Sequence, residues 1–355
     1  LKRIYLAFVL TGVATTMLGP LIPAFESRWQ LDDARAGILF AAEFLASVAL
    51  AAAAPALGRA MGFRRAIALG LAVVACGVAC CQTGSFAGAV AAVGLYGCGL
   101  GIVVTGSNLA IAASTEGGSA GRLLWLNMCW SIGAVAAPWL VAGLRDAFLP
   151  VAALAFAAFA TVVGVSGANP RFGPAHQAKA TGIPHWRFAA VLFLYVGVET
   201  AVSGWVSAYA TRGAAHQLWA VLPSAFWFAV LGGRALSPGL LHRLPPRVLV
   251  PVGLAVAFGG GVVLLASTSP AALLAGTAVA GLGCAPIYPI VVAEYADRSE
   301  GAVSGLVFSA AGFGGAAIPP LVGAVSTATG SLRIGLAAAV ILIPAILFLH
   351  PRFDT

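Results

Sequence analysis

Apolar runs of roughly 20 residues, the length a helix needs to cross a bilayer, recur from one end of this chain to the other, separated by short polar or Gly/Pro-rich breaks. Segmenting at charge clusters and at Gly/Pro punctuation predicts twelve helical spans: 4–25, 35–57, 65–83, 86–113, 121–143, 148–167, 187–210, 217–240, 247–267, 271–296, 302–327 and 332–350. The one long polar connection falls midway, over 168–186, and contains Asn169-Pro170-Arg171 and Pro184. It divides a six-helix half over 1–167 from a six-helix half over 187–355.

Sliding one half against the other tests for an internal repeat. At an offset of about 182 residues, Gly99-Leu100-Gly101 meets Gly281-Leu282-Gly283, Ala120 meets Ala302, Gly133-Ala134 meets Gly315-Ala316, and Pro138 meets Pro320. A register held through a loop and two helices predicts parallel halves. The expected fold class is an all-α membrane protein of twelve transmembrane helices in two parallel, pseudo-symmetric six-helix halves.

Composition agrees. Of the 355 residues, 61% are hydrophobic and 8% charged, whereas a soluble domain carries about a quarter charged residues. The formal net charge of +8 does not mark a nucleic-acid site, because the basic residues form no patch with interleaved aromatics. They stand singly between apolar runs, as topology signals do. With the N-terminus inside, fourteen of the 19 basic residues fall on the cytoplasmic side, and only Arg28, Arg35, Arg145, Arg212 and Arg333 fall outside. Both termini are expected to be cytoplasmic. Leu1-Lys2-Arg3 followed by an apolar run resembles a signal peptide, but no small-residue cleavage site follows, so a retained first span is expected. The opening on Leu instead of Met fits a sequence whose first residues are missing. Cys76, Cys80, Cys81, Cys98, Cys129 and Cys284 all fall in apolar segments without a CxxC pair and read as small core residues. No metal site, cofactor or catalytic residue is expected: there is no Walker lysine motif, nucleophile elbow or metal set.

The loop after the second span reads Pro55-Ala56-Leu57-Gly58-Arg59-Ala60-Met61-Gly62-Phe63-Arg64-Arg65. Together with the duplicated halves, it resembles the major facilitator superfamily, whose loop at this place carries G-x-x-x-D-R-x-G-R-R. Gly62 and Arg64-Arg65 match, while Arg59 stands at the acidic position, so the family's inter-helix salt bridge is not expected there. Span 7, Tyr195-Val196-Gly197-Val198-Glu199-Thr200-Ala201-Val202-Ser203-Gly204-Trp205, and span 5, Leu126-Asn127-Met128-Cys129-Trp130-Ser131-Ile132-Gly133-Ala134-Val135, are similar to segments of the fucose permease and sodium-dependent glucose transporter branch. So is Gly301-Ala302-Val303-Ser304-Gly305 leading to Pro319-Pro320. The resemblance implies a bacterial inner-membrane secondary transporter with one central site between its halves.

An ionised carboxylate at bilayer centre costs about 2.5–3.5 kcal/mol on insertion scales, so an acid there needs a partner or a proton. Glu43 in span 2 and Glu199 in span 7 are the two acids at that depth, and both are proton-coupling candidates. Tyr195, Glu199 and Ser203 share one helical face, and Glu43 has Ser47 one turn on. Thr105 and Asn108 share a face of span 4, and Asn127, Trp130 and Ser131 a face of span 5. Amides, hydroxyls and indoles at mid-membrane suit a polyhydroxylated ligand. With Trp205 and Tyr288 they complete the expected substrate-binding set. Each has a plainer alternative: a protonated Glu199 fixing helix packing, and Asn or Ser joining neighbouring helices.

The expected activity is alternating-access uptake of a sugar or similar small polar solute, coupled to H⁺ through Glu199, with Na⁺ as the alternative ion and a monomer as the working unit. The rival readings are an exporter of amphipathic compounds and a transporter-like sensor.

Overall fold

The computed structural model describes residues 2–82, 84–113, 119–164, 185–213, 215–298 and 305–350, and within these every regular element is helical. Ten helical stretches are long and apolar enough to cross a membrane, and Val221–Ser237 is a shorter apolar helix. One stretch, Gly121–Gly164, holds two spans parted by the 3-10 turn Arg145–Ala147. The fold is therefore all-α with twelve spans, as the hydropathy pattern predicts. In chain order they are Lys2–Trp29, Asp33–Ala51, Phe63–Cys80, Phe86–Ala113, Ser119–Leu144, Phe148–Gly164, His185–Thr211, Val221–Leu241, Pro246–Ala266, Pro270–Cys284, Gly305–Thr329 and Leu332–Val340. Helices Ala54–Met61, Ile287–Arg298 and Leu342–Leu349 continue spans 2, 10 and 12.

Proline explains these interruptions. It has no N–H for the carbonyl four residues back and its ring crowds that turn. Span 1 breaks at Met17, span 2 after Ala51, span 10 after Cys284 and span 12 at Ile341, each within four residues before Pro20, Pro55, Pro286 or Pro344. The turn between spans 2 and 3 is made by Gly62, whose φ of 84° lies in a region that side chains disfavour.

The chain forms two compact units, one of residues Leu1–Leu18 and Ile38–Ala175, the other of Gly19–Gly37 and His176–Thr355. The second unit thus includes a segment that the sequence groups with the first half. Gly19 lies against the Gly204 backbone and Gly37 against Pro320, so small residues bring 19–37 close to spans 7 and 11. Most of the expected central connection lies outside the described residues, as do Glu300 and Gly301 to Ser304.

Inside each unit the same pairs of spans meet. Spans 1 and 5, 3 and 4, and 3 and 6 pair in the first, spans 7 and 11, 9 and 10, and 9 and 12 in the second. Glycines fix the register. Gly97 faces the backbone of Glu43 as Gly281 faces that of Phe226, and Gly99 faces Gly70 and Val74 as Gly283 faces Gly253 and Ala257. These contacts equate Gly97 with Gly281, two residues from the sequence alignment. The reason is local: Gly97-Cys98-Gly99-Leu100-Gly101 offers Gly-x-Gly twice, and identity alone selected the wrong one.

Candidate functional site

Span 7 carries Tyr195, Glu199 and Ser203 at four-residue intervals, which stacks them on one face. All three are buried. Tyr195 Oη donates to Glu199 Oε1 at 2.6 Å and also lies 2.9 Å from the Cys284 carbonyl. Cys284 ends the first segment of span 10, where carbonyls lose their intrahelical donors, and Tyr195 is within reach to supply one. Ser203 shares the face but donates back to the Glu199 carbonyl at 2.8 Å, so it steadies the helix and leaves the carboxylate alone.

A phenol has one proton for these two acceptors. With Glu199 ionised, that proton goes to the carboxylate. With Glu199 protonated, the carboxyl O–H donates to Tyr195, which then donates to the Cys284 carbonyl. The same heavy-atom positions serve both forms.

Opposite Glu199 stands Arg234 from span 8, its Nη2 3.9 Å from Glu199 Oε1. Both side chains are about nine-tenths buried, at 11% and 10% exposure. The sequence counts Arg234 with the cytoplasmic-side basic residues, although it lies inside the expected span 217–240. The helix runs to Leu241, which keeps Arg234 within the span. A single arginine inside an otherwise apolar helix was the available signal. Tyr288 joins this group, its ring centroid 6.4 Å from that of Tyr195. Trp205 does not: it is 0% exposed and its indole N–H donates to the Pro319 carbonyl at 2.9 Å, which ties span 7 to span 11.

In the first unit, Glu43 is 2% exposed. Tyr96 donates to its Oε2 at 2.9 Å, and among the described residues its Oε1 is buried without a hydrogen-bond partner. Thr105, Asn108 and Trp130 are half-buried, Asn127 is exposed and Ser131 buried. Both amides are oriented by their own helices: Asn108 Nδ2 donates to the Val104 carbonyl at 2.9 Å, and Asn127 Nδ2 to that of Leu123 at 2.8 Å. Ser131 donates to the Asn127 carbonyl at 3.1 Å. Trp130 presents its backbone to Gly12 of span 1.

A second polar group in the second unit also escapes the sequence reading. Arg212, just beyond span 7, donates to both oxygens of Asp33 and to both of Glu26. Ser326 also donates to Asp33 Oδ2, and the Ala34 N–H donates to Thr327 Oγ1 at 2.9 Å. Bonding to Asp33 pushes the Arg212 pKa above its ordinary value against the opposing effect of burial, so this guanidinium stays charged.

Residues 4–270 match the Major Facilitator Superfamily. The human major facilitator superfamily domain-containing protein 4A is 32% identical over 155 residues, covering 41% of this chain and 30% of that protein. The match thus spans less than a third of this curated relative. Among solved structures, a bacterial homolog of the human lysosomal transporter Spinster, inward-facing and unoccupied, superposes with a TM-score of 0.77 at 15% identity, covering 98% of this chain and 95% of that one. The E. coli fucose:proton symporter superposes with a TM-score of 0.67 at 19% identity, over 100% and 98%.

Proposed function

The chain belongs to the Major Facilitator Superfamily, and from that premise we propose that it is a secondary active transporter taking up a sugar or similar small polar solute with H⁺ by alternating access. The observation that carries this reading is the Glu199 carboxylate, buried in span 7 with Tyr195 at 2.6 Å and Arg234 at 3.9 Å. A carboxylate in a membrane helix is costly to keep charged, and this one has a bonded place for either protonation state. The E. coli structure of the same fold is a fucose:proton symporter, which favours a polyhydroxylated solute. The Tyr195-to-Trp205 and Leu126-to-Val135 segments favour the fucose permease branch. Asn108, Asn127 and Trp130, oriented but not fully buried, are the sugar-facing groups in this reading. The proposed location is a bacterial inner membrane with both termini in the cytoplasm.

The test is transport by the full chain in liposomes. Glu199→Gln should abolish accumulation driven by a pH gradient while exchange of labelled for unlabelled solute continues, because exchange needs no proton release. Undiminished accumulation by Glu199→Gln would remove Glu199 from coupling.

A further inference from the structure

We infer that Tyr195 carries the protonation state of Glu199 to the joint in span 10. It bonds the Cys284 carbonyl when Glu199 holds a proton and releases it when Glu199 is ionised, which frees the segment Ile287–Arg298 to move against span 7. This rests on the reading of Glu199 as the coupling group and adds the positioning residue that links its proton to a change of shape.

The joint comes from the sequence. Pro286 has no N–H with which to continue the helix, and span 10 breaks between Cys284 and Ile287. The two segments are held by different neighbours. Pro270–Cys284 is fixed on spans 8 and 9 by close backbone approaches at its glycines, Gly281 to Phe226 and Gly283 to Gly253 and Ala257. Ile287–Arg298 lies against span 7 through rings, Tyr288 at 6.4 Å from Tyr195 and Tyr295 at 5.3 Å from Phe188. Backbones in direct contact have no side chain to reorient, so motion at the joint falls to the second segment. The Cys284 carbonyl, at the last residue before the break, is the group that Tyr195 reaches.

One hydroxyl proton decides which bond exists. Tyr195 Oη is 2.6 Å from Glu199 Oε1 and 2.9 Å from the Cys284 oxygen, and a phenol has a single proton to donate. With Glu199 ionised, the carboxylate is the stronger acceptor and takes it, so Tyr195 and Cys284 face each other with no proton between their oxygens. When a proton from water forms an O–H on Glu199 Oε1, that O–H donates to Tyr195, and Tyr195 turns its own proton to Cys284. No other covalent bond changes. The titratable and charged groups around Glu199 are Tyr195 on its own helix, Arg234 on span 8, and Cys284 and Tyr288 of span 10. Span 11 meets this stretch with Gly314 and Ile318 at Gly197. A second titratable pair sits on the moving segment, Glu294 with His350 of span 12 at 3.6 Å, and its effect must be told apart from that of Glu199.

Infrared spectroscopy reads this bond directly, with the proton as the only ligand. In the full chain with Cys76, Cys80, Cys81, Cys98 and Cys129 replaced, cysteine labelled isotopically at its carbonyl carbon marks Cys284 alone. Its stretching band should move to higher frequency between pH 5 and pH 9, as the bond is lost. Tyr195→Phe should hold the band at its high-pH position throughout. Glu199→Gln, whose amide N–H donates to Tyr195 as the protonated acid does, should hold it at the low-pH position. A spin-label pair at Arg187→Cys and Ala293→Cys, both exposed, in a chain without native cysteines should change its distance with the same midpoint, and the two variants should fix it in opposite states. Tyr195→Phe should also lose accumulation driven by a pH gradient. A distance change that survives in Tyr195→Phe belongs to Glu294 and His350 and would overturn the proposal, as would a Cys284 band that does not move, or a segment that stays still while the band moves. If Glu199→Gln accumulates solute normally, the coupling reading itself fails. If Glu199→Gln loses accumulation while Tyr195→Phe behaves as the parent, the coupling reading stands and the link through Tyr195 fails. Should Tyr195→Phe not fold, a Cys284 band that still moves with pH in Glu199→Gln overturns the proposal, and one fixed at the low-pH position supports it.

Discussion

Arg212 grips Asp33 with both terminal nitrogens, Nη1 to Oδ2 at 2.8 Å and Nη2 to Oδ1 at 2.5 Å, while Nη2 also reaches Glu26. The two residues lie 179 positions apart, so this bond ties the start of span 2 to the end of span 7 within the second unit. A paired, bidentate arrangement is the strong form of charged hydrogen bond. Asp33 also receives Ser326, whereas Arg212 meets Glu26 through one nitrogen.

The first prediction follows from that inequality. Asp33→Asn keeps the shape and removes the charge that three donors address, and should lower stability by about 1.5–3 kcal/mol. Glu26→Gln should cost less. Thermal unfolding of the purified protein in detergent measures both, and an unfolding temperature of Asp33→Asn equal to the parent would mean that the cluster contributes nothing.

A second prediction concerns the two buried acids. By the packing register, Glu43 occupies the place of Phe226 in the other half, and Tyr96 that of Ala280. Glu199 faces a cation, but Glu43 has Tyr96 on one oxygen and, among the described residues, no hydrogen-bond partner on the other. A buried carboxylate so placed is at lowest cost when neutral, and a group that stays neutral cannot cycle a proton. Glu43→Gln should therefore retain accumulation driven by a pH gradient, in contrast to Glu199→Gln. If Glu43→Gln loses accumulation and Glu199→Gln keeps it, coupling belongs to span 2.

How much of this the sequence could reveal depends on how far each signal reaches. The spans were legible because apolar length is a local property: 86–113 coincides with Phe86–Ala113. The Tyr195, Glu199 and Ser203 face was legible because helical period fixes it. The role of Arg234 was not, since its partner Glu199 lies on another helix. Arg212, Asp33 and Glu26 were missed for the same reason, each resembling a loop charge until the fold brings them together. Trp205 was assigned to the substrate from its place in a motif, while its buried indole bonds to Pro319 across 114 positions, a contact that no local pattern encodes.

That difference between tryptophans gives a third prediction. Trp205→Phe removes the donor to a buried carbonyl, and should cost about 1–3 kcal/mol of stability. Trp130 is half-buried, so Trp130→Ala, like Asn127→Ala, should leave folding largely intact and weaken solute binding roughly tenfold, the equivalent of about 1.4 kcal/mol. Unfolding temperatures and ligand titrations on the same preparations separate the two effects. Normal binding by both Trp130→Ala and Asn127→Ala would remove span 5 from the site.

The last prediction addresses orientation. The bias of basic residues, with Arg64 and Arg65 after span 2 on one side and few charges on the other, assigns the turn between spans 2 and 3 to the cytoplasm and the turn between spans 11 and 12 to the outside. Lys179, a natural probe for the cytoplasmic side, lies outside the described residues, and Arg65 is exposed at the Gly62 turn. On the opposite side Gly330 has φ of 67°, where a cysteine would be strained, so its exposed neighbour Thr329 is the better position. In a background with all six native cysteines replaced, an impermeant thiol reagent added outside intact cells should label Thr329→Cys and spare Arg65→Cys until the membrane is opened. The reverse pattern would invert the topology. It would also place the Arg212, Asp33 and Glu26 cluster on the cytoplasmic side, because Thr327 and Ser326, which bond that cluster and its neighbour Ala34, lie within one turn of Thr329.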